Sequence, residues 1–239
     1  MKLRLMICAM AASTALFATD VSSDTYGVLS VTNAAATTVV GVPWRNVGGG
    51  EMSNVTLSNL VSTTGLATDD IIYLYEGTTW YGYKLSSAGV WEPYTTVSGT
   101  TTVSAPGSAD AKTLARGTGL IVQRASAANP IYLCGRYDSS TPTATSVGAN
   151  AKVLIANPLT TAKSISEGTN GDKIIVLKDG GASTVYEKKN DVWGTYVETT
   201  TKTSRGTRKT QTWTPGCTLA PGMGAWYQAG DTAASINWN

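Results

Sequence analysis

The sequence predicts an all-β protein built from two tandem β-sandwich-like or barrel-like modules of short antiparallel strands, with little helix. Three observations lead to this expectation. Short runs of β-branched and aromatic residues alternate with turn signals such as Glu76-Gly77. These runs recur in the same order about 103 residues later, which indicates an internal repeat. Helical periodicity is confined to one short stretch, residues 57–61.

Residues 1–18 predict an export signal, because Lys2 and Arg4 precede an apolar run that is too short to span a bilayer comfortably. Without these two cations the chain carries 16 basic and 16 acidic residues. A net charge near zero offers no basic surface, so no nucleic-acid partner is expected. No later apolar run is long enough for a transmembrane helix. Residues 19–37 then form the N-terminal segment of the exported chain.

The internal repeat depends on ordered matches between the two halves of the chain. Residues 69–77 match 172–180, residues 90–94 match 192–196, and residues 114–119 match 219–224. This alignment places Asp69 opposite Asp172 and Trp91 opposite Trp193. The predicted domains are therefore copy one at residues 38–137, a polar linker at 138–150, and copy two at 151–239.

Each copy is expected to contain the same strands in the same order. The strands of copy one are residues 71–75, 81–85 and 90–94, and those of copy two are 173–177, 184–187 and 192–196. A threonine-rich stretch follows in each copy, at 95–103 and 198–214. Because threonine is favoured in strands, we interpret both stretches as long hairpins.

Two glycine pairs superficially resemble a phosphate-binding loop, at residues 114–123 (LARGTGLIVQ) and 219–228 (LAPGMGAWYQ). A phosphate loop leads into a helix, whose N-terminal amides bind the anion. Both stretches lead instead into strand-like residues, so we interpret them as turns in which the glycines supply positive φ.

Several motifs of this chain resemble those of a family of exported bacterial β-rich proteins that carry two degenerate repeats. The motifs are VGVPWRNVGGGEM (40–52), LARGTGLIVQ (114–123), LIANPLTTA (154–162), LAPGMGAWYQ (219–228) and SINWN (235–239). The resemblance implies export and a two-repeat architecture, and it carries over no functional residue. Copy one has Val-Pro-Trp at 42–44 where copy two has Ala-Asn-Pro at 156–158, so the copies are not interchangeable.

The complete lack of histidine excludes Ser-His-Asp and Cys-His catalysis and histidine-bearing metal sites, and no cofactor or metal is expected. Carboxylate-pair chemistry of the glycosidase type needs only acids, of which the candidates are Asp69, Asp70, Glu76 and Asp172. Because these acids stand at strand entries or turns, we interpret them as turn residues and expect a protein that is not an enzyme.

Two cysteines, Cys134 and Cys217, remain after the export signal. In an exported protein they are candidates for a disulfide, and buried thiols are the alternative.

An aromatic cluster in copy one is the candidate ligand-binding site: Tyr73, Tyr75, Trp80, Tyr81 and Tyr83. Copy two has no counterpart, so the fold does not require these rings. If the pairing is simple, Tyr75, Tyr81 and Tyr83 share one face of the sheet, where aromatic rings suit stacking on sugars. The alternative is that the rings fill a core that lacks phenylalanine. Trp91 and Trp193 are assigned to the core.

The expected function is a non-catalytic structural or adhesive role at the bacterial cell surface or outside the cell, with self-association through exposed strand edges. Glycan binding through exposed Tyr and Trp side chains is the alternative. A carboxylate-based glycoside hydrolase and an outer-membrane barrel rank below both.

Overall fold

The structure is a computed structural model that describes residues 26–31, 37–43, 55–98, 101–104, 107–125, 130–136, 144–177, 183–203 and 206–238 of the 239-residue chain. The predicted export signal at 1–18, Trp44 of the VPW motif and the first part of the predicted linker, residues 138–143, lie outside these ranges.

The described residues are almost entirely β: 59% lie in strands and 2% in helix, which confirms the all-β fold class. The described helix is a single turn, α1 (Leu57–Leu60), at the place where the periodicity predicts one. Leu57 and Leu60 are buried, whereas Thr56 provides no side-chain cap, so packing rather than capping holds this turn.

The first half of the chain forms one large sheet and two ribbons. Its strands are β1 (Tyr26–Val31), β2 (Thr37–Gly41), β3 (Val55–Thr56), β4 (Ile71–Glu76), β5 (Thr79–Leu85), β6 (Trp91–Tyr94), β7 (Thr96–Ser98), β8 (Thr101–Ser104), β9 (Thr113–Leu114), β10 (Gly119–Gln123) and β11 (Ile131–Arg136). The sheet has the order β2–β10–β4–β5–β8–β7, and β6 also pairs with β5. The antiparallel ribbons are β1–β11 and β3–β9.

The second half is built in the same way. Its strands are β12 (Thr145–Val147), β13 (Lys152–Ala156), β14 (Lys163–Ser164), β15 (Lys173–Leu177), β16 (Ser183–Lys189), β17 (Val192–Thr203), β18 (Gly206–Pro215), β19 (Thr218–Leu219), β20 (Gly224–Gln228) and β21 (Ala234–Ile236). The sheet has the order β13–β20–β15–β16–β17–β18, and the ribbons are β12–β21 and β14–β19.

Strand for strand, the two sheets pair in the same order: β2–β10–β4–β5–β6 corresponds to β13–β20–β15–β16–β17. The strand register shifts the match between residues 69–77 and 172–180 by one residue. Ile71 pairs with Gln123 as Lys173 pairs with Gln228, so Asp70, not Asp69, is equivalent to Asp172. Asp69 instead corresponds to Gly171, and both have positive φ, 74° and 94°.

The observed halves begin earlier than the predicted domain boundaries, because each includes a ribbon strand that precedes the predicted copy. Strand β12 lies inside the predicted linker, and it pairs with β21 of the second half. Strand β1 lies inside the predicted N-terminal segment, and it pairs with β11 of the first half. Each half therefore recruits the stretch in front of it as an edge ribbon. β12 is too short and polar to be recognised in the sequence, and β1 has no equivalent in the repeat matches that defined copy one.

Each half has its own apolar core. In the first core Trp91 packs with Ile72, Leu74 and Leu120, and in the second Trp193 takes the equivalent place. Trp91 is 4% exposed and Trp193 3%, so the assignment of both to the core is confirmed.

A third apolar cluster joins the two sheets, and we call it the seam. It consists of Val39, Ile121, Leu154 and Trp226, against which Tyr73, Tyr75, Trp80, Ile175 and Leu177 pack. The central strands β10 and β20 therefore bury both faces, one on their own core and one on the seam. The two halves are packed together rather than strung on a linker.

Reciprocal main-chain hydrogen bonds cross between the halves beside the seam. The Gly41 amide donates to the Gly222 carbonyl at 2.8 Å, and the Ala156 amide donates to the Gly117 carbonyl at 3.0 Å. Because Gly41 and Ala156 end the equivalent strands β2 and β13, these two bonds are related by an approximate two-fold axis.

The paired glycines of the LARGTGL and LAPGMG motifs have two different roles. Gly117 and Gly222 have φ of 85° and 66°, which confirms the predicted turn role for these two. Gly119 and Gly224 do not have positive φ. A Cβ on Gly224 would lie 2.5 Å from Val39 Cγ1, and one on Gly119 would lie 2.9 Å from Leu154 Cβ. These two glycines therefore permit the close approach of the halves.

Candidate binding site

The predicted aromatic cluster is divided between the two faces of the first sheet, so the expectation that Tyr75, Tyr81 and Tyr83 share one face is wrong. The two-residue turn at 77–78 sets the register Glu76↔Thr79, and this register places Tyr75 opposite Trp80 and Leu74 opposite Tyr81. Because side chains alternate along a strand, Tyr73, Tyr75 and Trp80 face the seam, while Tyr81 and Tyr83 face the first core.

The seam-facing rings form a chain of edge-to-face and tilted contacts that includes the second half of the molecule. Trp80 lies 6.3 Å from Tyr73 and 5.0 Å from Tyr75, measured between ring centroids. Trp226 continues the chain at 5.5 Å from Trp80, and Lys152 Nζ lies 4.5 Å from the Trp226 centroid. These three predicted residues are half-buried and pack the seam, so they have a structural role.

The other two predicted residues belong to the first core. Tyr83 is fully buried, and Tyr81 is half-buried against the same core with Lys112 Nζ 5.1 Å above its ring. Burial raises the pKa of Tyr83 to about 12, with smaller contributions from Glu76 and Tyr81. A ligand in solvent has no access to the Tyr83 ring.

The predicted disulfide between Cys134 and Cys217 is not formed. Cys134 lies half-buried on β11, and Cys217 lies in the second core, so the two thiols belong to different packing units. Burial raises the pKa of the Cys217 thiol to about 12.

The buried acids cap the loops that precede strands, as expected for turn residues. In the first half Asp70 accepts the amides of Ala67 and Ala125 at 2.9 and 2.7 Å. In the second half Asp172 accepts the amides of Thr169 and Gly230, both at 2.7 Å. Both carboxylates are fully buried, and they join equivalent segments of the two halves.

Asp172 is further held in its ionised form. Burial alone raises the pKa of this carboxyl, but hydrogen bonds from the Gly230 amide, the Tyr227 hydroxyl and Thr169 outweigh burial and leave the pKa below its ordinary value. A carboxylate that is buried, ionised and saturated with donors is unsuited to general acid catalysis, which requires a raised pKa. Asp69, by contrast, forms a surface ion pair with Lys84 at 2.6 Å.

A groove that the sequence analysis did not single out opens on the second sheet, between β16 and β17. It has a volume of about 350 Å³ and is lined by Ser183, Thr184, Val185, Glu187, Gly194, Thr195, Tyr196 and Trp213. β17 pairs with β16 only from Val192 to Gly194, and beyond that point it pairs with β18 alone. The two strands diverge there, and the gap between them is the groove.

An aromatic pair, the exposed Tyr196 and the half-buried Trp213, forms one wall of this groove. The Tyr196 and Trp213 rings pack edge-to-face at 5.0 Å, and Lys189 Nζ lies 4.9 and 5.6 Å from their centroids. Tyr196 is 52% exposed, far more than any ring of the predicted cluster. The sequence did carry one signal for this pair, because Tyr196 stands in the predicted third strand and Trp213 in the threonine-rich stretch that follows it.

Beyond the groove, β17 and β18 continue as a two-stranded arm. Their ladder runs over ten pairs, from Gly194↔Pro215 to Thr203↔Gly206, and after Gly194 neither strand pairs with another described strand. At about 3.3 Å per residue the arm is roughly 30 Å long. Val197, on the arm, is 47% exposed, and Val185, in the groove, is 43% exposed. The predicted long hairpin is therefore present, with an apolar and aromatic base.

No protein-family model, curated protein or solved structure matches this chain. Within the described ranges, no three His, Cys, Asp or Glu side chains are grouped so that they could bind a metal ion. The part of the chain that the structure describes also holds no helix with the length and apolar character needed to cross a membrane.

Proposed function

We propose that this chain is an exported, non-catalytic structural or adhesive protein of the bacterial cell surface or extracellular space. The observation that supports this proposal best is the arm, which extends from the second sheet with exposed apolar and aromatic side chains at its base. Exposed strand edges of this length pair readily with other chains. The N-terminal signal predicted at residues 1–18 supports export.

The buried acids support the non-catalytic part of the proposal. Asp70 and Asp172 each accept at least two backbone amides and have no exposed surface, so neither faces a substrate. Hydrolysis of a polysaccharide that is abolished by substitution of one carboxylate pair would overturn this part.

Localisation and adhesion test the structural role. The full chain, expressed with its own N-terminus in a bacterial host, is expected in the surface or culture-medium fraction. There it should be assembled or attached to cells, and on intact cells it should be sensitive to added protease. A chain that stays inside the cell, or that is exported but neither assembles nor adheres, contradicts the proposal.

Glycan binding is the second candidate, and the Tyr196–Trp213 pair favours it. Aromatic rings beside hydroxyl and carboxylate groups suit a sugar, which stacks its apolar face on a ring and hydrogen-bonds through its hydroxyls. The groove supplies Thr184, Thr195 and Glu187 next to the rings.

A glycan array with the wild type, Trp213→Ala and Trp80→Ala tests this candidate. Binding that disappears in Trp213→Ala, with an unchanged melting temperature, supports a glycan site in the groove. Binding that disappears only in Trp80→Ala would support the originally predicted cluster instead. A wild-type protein that binds no glycan excludes both sites as glycan receptors.

A further inference from the structure

The free side of β16 faces the groove with unpaired main-chain positions. The main-chain N–H and C=O groups of successive strand residues point to opposite sides of the strand. Lys188 forms its main-chain hydrogen bonds with Asp172 and Gly171, on the side of β15. Val185 and Ser183 each precede Lys188 by an odd number of residues, so their main-chain groups face the opposite side, towards the groove. No described strand pairs with that side of Ser183–Tyr186. The Val185 carbonyl accepts the Thr195 hydroxyl at 2.8 Å, and no described strand donates to it.

The first half shows what occupies this position when it is filled. Ser183 and Thr184 correspond to Trp80 and Tyr81, which lie at the same places in the equivalent strand β5. There the threonine-rich stretch folds back, and β8 (Thr101–Ser104) pairs in parallel with β5 in the register Trp80↔Val103 and Tyr81↔Ser104. The position beside Ser183 and Thr184 is therefore one that accepts a short, threonine-rich, parallel strand, whereas the equivalents of Val185 and Tyr186, Gly82 and Tyr83, pair with β6.

In the second half the equivalent stretch does not fold back. There β18 pairs with β17 alone, and the Trp213 ring packs on Gly194, where an added Cβ would be 2.5 Å from the ring. Nine of the 20 residues at 195–214 are threonine, so the arm shares the threonine enrichment of the strand that fills the first sheet. The molecule thus has an empty strand position and, directed away from it, a strand of matching type.

We infer that the arm of a second copy of this chain fills the position beside β16, with β18 of the second copy added in parallel beside Ser183 and Thr184. The inference rests on the proposed structural role and specifies its contact. Arm and groove are different surfaces of one molecule, so each copy offers one of each. Such head-to-tail contacts produce linear chains of molecules, except where the rotation between successive copies closes the chain into a ring.

Two variants test the arm and the groove separately: one blocks the groove and the other removes the arm. Val185→Pro removes the amide that faces the groove and leaves the β15–β16 ladder intact, and Val185→Thr is the matched control that keeps the amide. The second variant replaces residues 197–212 with Asn-Gly, a two-residue turn that joins Tyr196 to Trp213 and deletes the arm but not the groove. If Val185→Pro fails to fold by circular dichroism, Ser183→Pro with Ser183→Thr as its control tests the same edge.

Sedimentation velocity of the mature chain is the measurement. We expect wild type and Val185→Thr to form a concentration-dependent series of oligomers, and each of the two blocked variants alone to be monomeric. Mixed in equal amounts, the blocked variants are expected to form a dimer and nothing larger, because one supplies only an arm and the other only a groove.

Three results overturn the inference. If the armless variant assembles like wild type, another surface makes the contact, and the structural role stands without the arm. If the mixture stays monomeric, the arm does not enter the groove. If the wild type is monomeric at all concentrations, there is no self-association, and the structural role then depends on the adhesion measurement alone.

Discussion

Buried cations at non-equivalent positions hold equivalent loops in the two halves. In the first half Arg124 donates to the Gly65 carbonyl at 2.8 Å, and in the second Lys188 donates to the Gly168 carbonyl at 3.0 Å. Arg124 directly follows β10 and Lys188 lies in β16, yet both hold the loop in front of the strand that Asp70 or Asp172 caps. The sequence indicated the acids because they precede strand-like runs. It did not indicate the cations, because Arg124 and Lys188 do not align with each other.

Replacing Asp172 with Asn is expected to lower the free energy of unfolding by about 2–3 kcal/mol, because an amide cannot accept all of the donors that now surround the carboxylate. Urea unfolding at pH 7 measures this loss. Asp69→Asn is the control: Asp69 is exposed, and asparagine tolerates its positive φ, so a change within about 0.5 kcal/mol is expected.

Wild type and Asp172→Asn also test how the contribution of Asp172 to the unfolding free energy depends on pH. The pKa of Asp172 is lowered in the folded state, so its contribution is complete above the unfolded-state value of about 3.9 and is lost as the pH falls through the lower folded-state pKa. The difference in unfolding free energy between wild type and Asp172→Asn should therefore shrink below about pH 4. A difference that stays constant down to pH 2 would contradict the lowered pKa.

Cys217 is expected to resist alkylation in the native protein, because it is buried and its thiol pKa is raised to about 12. Iodoacetamide treatment at pH 8 followed by mass spectrometry should show Cys217 modified only after denaturation. Cys217→Ser, which cannot be alkylated, identifies its peptide. A mass two units below that of the dithiol, or rapid native labelling of Cys217, would contradict the structure.

At the scale of elements, the strands follow the residue pattern closely, whereas the faces and edges do not. The runs at 71–75 and 173–177 are strands because β-branched and aromatic residues alternate there. Which face of the sheet Tyr75 and Tyr81 occupy depends on the number of residues in the turn between β4 and β5. Gly77 indicates that a turn is present, but it does not show that the turn has two residues. The groove could not be predicted from the residue pattern, because it forms only where β17 stops pairing with β16.

Close approach of the halves at the ends of β2 and β13 makes Gly41 sensitive to a single methyl group. A Cβ there would lie 2.4 Å from the Ala156 Cβ, so Gly41→Ala is expected to lower the unfolding free energy by about 1–3 kcal/mol through overpacking. Combining it with Ala156→Gly should restore part of that loss, since the second change removes the clashing atom. Thermal unfolding of the two single variants and the double variant measures the coupling.

Gly148→Ala serves as the control for this series, because its added Cβ would meet only Ala151 Cβ, at an ordinary 3.8 Å. It should change the unfolding free energy by less than about 0.5 kcal/mol. If Ala156→Gly fails to improve the Gly41→Ala variant, the two strand ends are not in contact, and the approximate two-fold arrangement is wrong at this point.

For the whole molecule, the seam turns two similar halves into one body. The repeated motifs predicted two modules, and each half does have its own core. The sequence could not predict the seam, because Trp226 and Trp80 lie in different halves and nothing in either stretch specifies which face meets the other half. Reciprocal bonds from Gly41 and Ala156, together with the shared rings, make separate unfolding of the halves unfavourable in the intact protein.

Wild-type protein is therefore expected to unfold in one cooperative transition, and Trp226→Ala is expected to weaken that cooperativity. Removal of this ring deletes its contacts with Tyr75 at 5.3 Å and Trp80 at 5.5 Å, at a cost of about 3–5 kcal/mol, while both separate cores keep their side chains. Scanning calorimetry should give a ratio of calorimetric to van't Hoff enthalpy near one for wild type and clearly above one for the variant. Tyr196→Ala, which removes an exposed ring that is not part of the seam, should leave the ratio unchanged. Two separate transitions in the wild type would mean that the halves are independent domains and that the seam does not couple them.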